Sequence, residues 1–131
     1  MRYLTEQEVI AINHFLIDRY SPGELKGTKE AGLLNSAVER AKQTVFGTDA
    51  YVDVFEKAAA LFESLAKNHC FHNANKRTAF VCFVQFLAYN GYRLQMDVKA
   101  AEDLVVDMVV HRYDFQEIAE TIRFHCKEKD C

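Results

Sequence analysis

The sequence predicts an all-α fold, a compact helical bundle around a central buried helix that begins near Asn75. Apolar residues recur every three or four positions over most of the chain, as on one face of a helix. Pro22 is the only proline, so nothing else in the chain breaks a helix by removing an amide. The chain has 131 residues and half of them are hydrophobic, which predicts a single domain over residues 1–131.

The first two helices are predicted before residue 45. Thr5 and Glu8 form a capping-box pattern that opens a helix over residues 5–20. Its apolar positions are Val9, Ile12, Phe15, Leu16 and Tyr20. The segment 21–23 stops this helix and a polar loop follows to residue 29. A second helix is predicted over residues 30–44, with residues 33, 34, 37, 38 and 41 facing inward.

Two longer helices are predicted in the middle of the chain. Residues 52–68 carry a clean apolar stripe at a period of 3.6 residues. Residues 78–88 are apolar on nearly every side, which indicates a buried element. Their β-branched and aromatic residues are also compatible with a strand, but the length and the Asn90-Gly91 stop favour a helix.

The C-terminal part predicts two shorter helices. Asp97 can cap the fifth, and a second capping box at residues 114–117 opens the sixth. Residues 92–95 have an extended pattern, but a single piece makes no sheet. Residues 127–131 are expected to fray.

Charge and composition exclude several classes of protein. The formal net charge is −3, without the basic face that a duplex-binding protein shows, so we expect no direct contact with nucleic acid. No segment reaches the roughly 18 apolar residues of a membrane span, and residues 1–6 contain no signal-peptide run. The four cysteines form no CxxC pair, which indicates free thiols in the cytoplasm. A Cys126–Cys131 bridge is conceivable but not favoured, and Cys82 is expected in the core.

The densest chemistry lies in residues 69–77, His-Cys-Phe-His-Asn-Ala-Asn-Lys-Arg, between the third and fourth predicted helices. The first amides of a helix have no intrahelical partner, and the helix dipole adds positive charge there, so a helix start attracts anions. Ala74 leaves the backbone accessible, and Asn75 can cap the helix or reach a phosphate oxygen. Lys76 and Arg77 add charge where a polyphosphate would lie.

Two further residues complete this hypothesis. His69 ends the preceding helix, and an imidazole with an ordinary pKa of about 6.5 can take a proton from an alcohol that attacks phosphorus. Phe71 stands in a polar loop, which predicts that its ring anchors the loop in the core.

Two simpler interpretations remain. The segment is a solvated connection between helices, or its neighbours His69, Cys70 and His72 bind zinc. Consecutive residues do not easily surround one tetrahedral ion, so the metal interpretation is the weaker one.

The same residues resemble the Fic/Doc superfamily, in its Doc (death-on-curing) toxin branch. The family pattern is His-x-Phe-x-(acid or Asn)-small-Asn-(Lys or Gly)-Arg. It is matched here by His69, Phe71, Asn73, Ala74, Asn75, Lys76 and Arg77. Residues 32–40 and 55–59 also look like family segments, and the resemblance covers residues 30–95 best.

The resemblance implies an all-α Fic fold and ATP-dependent transfer to a protein hydroxyl. Relatives with Gly after the second Asn transfer the adenylyl group, whereas the Doc branch, with Lys there, transfers the terminal phosphate. Lys76 places this chain on the Doc side. The implied target is a threonine of elongation factor Tu, whose modification stops translation, and the implied partner is a small Phd-like antitoxin.

The resemblance also implies roles for single residues. His69 would be the base, while Ala74, Asn75, Lys76 and Arg77 would hold phosphates. Asn73 stands where many members carry an acid that binds Mg²⁺, and an amide oxygen is a weaker ligand for this hard cation.

Three hypotheses therefore follow: a Doc-like kinase using ATP and Mg²⁺, a protein adenylyltransferase, and a catalytically weak binding module. The third hypothesis stays open because Asn73 replaces the acid that binds Mg²⁺ in many members.

Overall fold

The computed structural model describes residues 1–110 and 113–129. Its six described helices confirm the predicted all-α class. They are α1 Glu6–Tyr20, α2 Ala31–Arg40, α3 Val54–Asn68, α4 Asn75–Tyr89, α5 Val98–Val109 and α6 Phe115–His125. Within the described residues, none of these helices is both long and apolar enough to cross a membrane.

The strands form two small antiparallel sheets. Strands β1 Thr44–Val45 and β2 Thr48–Asp49 make one sheet, and β3 Tyr92–Leu94 pairs with β4 Cys126–Glu128 in the other.

The core forms between α3 and the helices around it. Helix α3 packs against α2, α4 and α6, and α1 covers the other side of α4. The rings of Phe62 on α3 and Phe83 on α4 lie 4.8 Å apart at this contact. Ten of the fifteen residues of α3 are buried, so α3 is the most completely enclosed element described, and α4 is held rigidly against it.

Predicted capping residues open three of the helices. Thr5 and Asp114 accept from the amides of Glu8 and Glu117 in the two predicted capping boxes. Asp97 caps α5 as expected. Asp53 was not predicted as a cap, but it caps α3 by accepting from the amide of Glu56. Helix α3 therefore begins two residues later than predicted.

Two predicted apolar positions of α1 are not in the core. Phe15 and Tyr20 keep 65% and 61% of their surface exposed, whereas Val9 and Leu16 are buried. The prediction for α4 also needs correction, because Phe80, Val81 and Val84 are only half-buried. Periodicity identifies an apolar stripe without showing which part of it meets another element.

The second helix is shorter than predicted. It ends at Arg40, and the amides of Lys42 and Gln43 then form turns back to α2. Phe46 and Gly47 both have positive φ angles, 52° and 79°, which suits the two-residue turn of a hairpin. The chain therefore leaves the helix early and forms β1 and β2.

The C-terminal expectation is also wrong. Tyr92, Arg93 and Leu94 pair with Glu128, Lys127 and Cys126, so residues expected to fray form a strand instead. A sequence pattern shows no partner for a three-residue strand, and this one is more than 30 positions away. Cys126 is a free thiol, and the conceivable bridge to Cys131 lies outside the described residues.

A buried lysine ties the first hairpin to the core. Lys57 of α3 is 2% exposed, and its Nζ lies 3.3 Å from Asp49 Oδ2 and 3.5 Å from the carbonyl oxygen of Ala41. A buried ammonium group requires such partners, so Lys57 joins β2 and the C-cap residue of α2 to α3.

The ion pair between Asp53 and Arg123 makes stability depend on pH. Nη2 of Arg123 in α6 donates to Oδ2 of Asp53, the N-cap residue of α3, at 2.6 Å. Partial burial raises the pKa of this carboxyl, but hydrogen bonds from Glu56 and Arg123 outweigh it and hold the pKa below its ordinary value. The stabilisation is present above the ordinary pKa of about 3.9 and is lost as the pH falls through the lower folded pKa.

We therefore expect Asp53→Asn to lose less stability than the natural protein when the pH falls below about 4. Urea unfolding at a series of pH values measures this. Arg123→Gln should remove part of this loss of stability at low pH, because it returns the pKa of Asp53 toward its ordinary value. If the free energy of unfolding depended on pH equally in all three proteins, the Asp53–Arg123 ion pair would not be the cause.

Candidate active site

One large cavity collects the predicted site residues. It has a volume of about 1090 Å³ and lies between the loop that joins α3 to α4, the end of α1, and α5. The residues of the motif that line it are His69, His72, Asn73, Ala74, Asn75, Lys76 and Arg77. Phe71 is the one predicted site residue that does not line it. The structure therefore brings the candidate base and the candidate phosphate-binding residues to one space.

The start of α4 presents to this cavity amides that have no hydrogen-bond partner among the described residues. Ala74 is the N-cap residue and no side chain caps the helix. The first intrahelical acceptor is Ala74 O, which binds the amide of Thr78 at 2.9 Å. The amides of Asn75, Lys76 and Arg77 come before Thr78 in the chain, so they have no acceptor within the helix. Together with the helix dipole they favour an anion at this end of the cavity.

The side chain of Asn75 does not cap α4, which was one of its two predicted roles. Its Oδ1 accepts from the amide of Phe71 and its Nδ2 donates to the carbonyl of Phe71, both at 2.9 Å. The side chain is thus hydrogen-bonded to the loop backbone and does not cap α4. The second hydrogen of Nδ2 and the main-chain amide of Asn75 remain as donors for a phosphate.

His69 stands at the end of α3, with its side chain exposed and lining the cavity. It is the C-cap residue and has the left-handed φ angle of 50°. This conformation ends the helix and turns the chain into the loop. The geometry leaves the imidazole accessible, as a proton acceptor must be.

The two cations predicted to hold phosphates are both exposed on the first turn of α4. The guanidinium carbon of Arg77 lies 4.9 Å from the ring centre of Tyr20 at the end of α1. A cation over an aromatic face is attracted by the ring, so Tyr20 restricts the positions of Arg77. The planar guanidinium can bind two phosphate oxygens at once.

Asn73 links the motif to the loop after α1. Its Nδ2 donates to the carbonyl of Leu25 at 3.0 Å, which leaves Oδ1 as the acceptor atom. The same loop pairs with the motif backbone, through Lys29 N to Cys70 O at 2.7 Å and His72 N to Gly27 O at 3.2 Å. Residues 25–29 therefore hold the motif loop in place, although the cavity itself is lined by other residues.

The centre of the motif is anchored in the core. Phe71 is 2% exposed, which confirms its predicted position as the buried ring of the loop. Cys70 is fully buried, and burial raises the pKa of its thiol to about 11. The thiol is protonated at neutral pH and therefore unsuited to act as a nucleophile or a metal ligand. Among residues 1–110 and 113–129 no three His, Cys, Asp or Glu side chains are grouped as a metal site.

Further residues, not predicted from the sequence, complete the cavity. The far wall is apolar and includes Leu94, Met96 and Val105, while Glu24 and Glu102 add acidic groups to the lining. Asn13, buried in α1, contacts the motif backbone. The cavity-lining residues lie on separate elements, and no local signal in the sequence connects them.

Comparison with known proteins agrees with this fold and motif. A sequence model of the Fic/DOC family matches residues 3–87. The chain therefore belongs to the Fic/DOC family, and its curated relatives place it in the Doc branch.

Two curated relatives are similar over nearly the whole chain. One is the "Toxin Doc" of Mycolicibacterium smegmatis, 40% identical over 119 residues, which cover 89% of this chain and 88% of the relative. The other is the "Protein kinase doc" of Escherichia phage P1, 31% identical over 123 residues and covering 94% of each chain.

Substitution of Asn75 tests whether its hydrogen bonds to Phe71 hold the loop in place. We expect Asn75→Ala to accelerate hydrogen exchange of the Phe71 amide and to lower the free energy of unfolding by about 1–3 kcal/mol, because a partly buried donor loses its acceptor. Asn35→Ala is the control, since Asn35 is exposed and its Nδ2 donates to the exposed carboxylate of Glu6 at 3.4 Å, away from the motif loop. An unchanged exchange rate at Phe71 would show that the loop is held by other contacts.

Proposed function

We propose that this protein is a Doc-like toxin that transfers the terminal phosphate of ATP to a hydroxyl group of a protein. One observation supports the proposal above all: the unpaired amides at the start of α4, Lys76, Arg77 and the imidazole of His69 share one cavity. Membership of the Doc branch and the relative named as a protein kinase support it as well.

The proposed chemistry assigns a step to each group. The hydroxyl oxygen attacks the γ-phosphorus, and His69 accepts the hydroxyl proton. The bond from the γ-phosphorus to its bridging oxygen breaks and ADP leaves. Lys76, Arg77 and the open amides stabilise the charge on the phosphate oxygens, which is the main contribution that a protein makes to phosphoryl transfer. The apolar far wall offers surface to the base of the nucleotide.

Magnesium ion is expected to accompany the nucleotide, neutralising charge on its phosphates. Asn73 Oδ1 is the motif oxygen suited to it, because Nδ2 is committed to Leu25. A single amide oxygen is a modest contribution, and Mg²⁺ in nucleotide sites keeps several phosphate and water ligands.

By resemblance to the family, the proposed target is a threonine of elongation factor Tu and the result is arrest of translation in the cytoplasm. The relative named as a toxin supports a role in a toxin–antitoxin pair, with a small Phd-like antitoxin as the partner. Adenylyl transfer is the competing reaction, because it needs the same motif with the α-phosphate at the base.

Labelled ATP tests the proposal directly. We expect label from the γ-phosphate, and none from the α-phosphate, on elongation factor Tu after incubation with Mg-ATP. His69→Ala should abolish this transfer while the thermal melting curve stays as in the natural protein, because the side chain is exposed. Label from the α-phosphate would identify an adenylyltransferase. No label from either phosphate would favour a binding module. Transfer by the His69→Ala variant would exclude His69 as the base.

A second prediction concerns the metal. Asn73→Asp should lower the Mg²⁺ concentration needed for half-maximal transfer, because a carboxylate binds this cation better than an amide. A magnesium titration of the initial rate measures the change. Asn35→Asp, on the exposed face of α2, is the control for added charge. Equal titration curves for Asn73→Asp and the natural protein would mean that position 73 does not contact the ion.

A further inference from the structure

We infer that Asn13, a buried residue of α1, is a positioning residue for the phosphate site. It holds the peptide between Asn73 and Ala74 so that the Ala74 amide faces the cavity. This inference rests on the proposed function, since it assigns the start of α4 to the phosphates. Asn13 lies outside the motif and sixty positions from the residue that it holds.

The contacts of Asn13 determine how its amide is turned. Its side chain is fully buried, and Nδ2 donates to Asn73 O at 2.9 Å and to Thr78 Oγ1 at 3.1 Å. A backbone carbonyl only accepts hydrogen bonds, so the nitrogen must be the atom that faces Asn73. Asn13 therefore binds the last turn of the loop and the first turn of α4 together.

The direction of the Ala74 amide follows from peptide geometry. In a trans peptide the carbonyl oxygen and the following N–H point to opposite sides. Since Asn73 O is drawn toward buried Asn13, the N–H of Ala74 points away from α1. Ala74 lines the cavity, and the described residues offer its N–H no acceptor. This amide then joins the open amides of α4, and consecutive amides of this kind bind anions.

This peptide orientation needs support because Ala74 has a left-handed φ angle of 62°. Residues with a Cβ atom rarely adopt that conformation, and glycine is the usual choice. Rotation of the peptide would relieve the conformation and would place the carbonyl of Asn73, instead of an N–H, beside the phosphates. The two hydrogen bonds from Asn13 oppose this rotation.

A second observation indicates that Asn13 is not present for packing. Its Oδ1 is buried and has no hydrogen-bond partner among the described residues. Such an atom is unfavourable, and the other buried residues of α1, Val9, Leu16 and Ile17, are apolar. A leucine at this position would avoid the unpaired atom. An asparagine here is explained by the carbonyl that it holds.

The test measures binding, so it does not depend on transfer to any target. We expect Asn13→Leu to raise the Kd for a non-hydrolysable ATP analogue and for inorganic tripolyphosphate about tenfold. Tm should fall as well, because Asn73 O and Thr78 Oγ1 lose their donor. The double variant Asn13→Leu/Ala74→Gly should recover part of the affinity, because glycine adopts the left-handed conformation freely. A purely structural role would not produce this recovery.

Controls separate the outcomes. Val9→Ala removes buried atoms from α1 away from the cavity, so it should lower Tm and leave both Kd values unchanged. If Asn13→Leu does not fold, Thr78→Val and Asn13→Ala replace it, with a raised Kd expected for each.

Natural affinity in these variants, or no recovery with Ala74→Gly, would overturn the role of Asn13. A natural protein that binds neither ligand would overturn the proposed function itself. Binding without phosphate transfer would overturn only the kinase activity.

Discussion

The site depends on the conformation of the loop between α3 and α4. This loop begins at His69 and ends at Ala74, and both residues have left-handed φ angles. Neither is glycine, so the conformation is maintained by contacts rather than by intrinsic preference. The buried ring of Phe71, the side chain of Asn75 and the amide of Asn13 supply those contacts. Without them the loop that leads into α4 would lose the contacts that fix its conformation.

The same loop connects the site to the stability of the whole fold. It joins the two helices that form the centre of the core, and buried Cys70 and Phe71 belong to that core. Residues 25–29 cover its other side and bond to its backbone. A site built on rigid elements in this way can keep charged groups in place before a ligand arrives, which is the condition for electrostatic stabilisation.

Charge and polarity are divided across the cavity. The amides and cations stand at the start of α4, whereas β3 and α5 contribute a mainly apolar wall that also carries Glu102. This division suits a ligand with a charged end and an apolar end, and a nucleotide is such a ligand. Helix α1 serves both parts, because Asn13 supports the loop, Tyr20 lies against Arg77, and Leu16 lines the cavity.

Most of the helices could be predicted from the sequence, since the helical period and the capping residues Thr5, Asp97 and Asp114 are local signals. Among the candidate site residues, the sequence also indicated that Phe71 is buried. It did not reveal that Asn75 is committed to Phe71, because a side-chain oxygen that could cap a helix can equally bind a loop amide. It gave no sign of β4, whose partner is distant in the chain.

The sequence by itself determined the helical class and the motif, because these depend on residue types at short spacing. Only the tertiary structure decided which amides face the cavity, which apolar residues of α1 and α4 stay exposed, and that Asn13 supports the motif. The reason is physical: hydrogen bonds such as the one from Asn13 to Asn73 join residues that only folding brings together, and burial depends on which elements pack against each other.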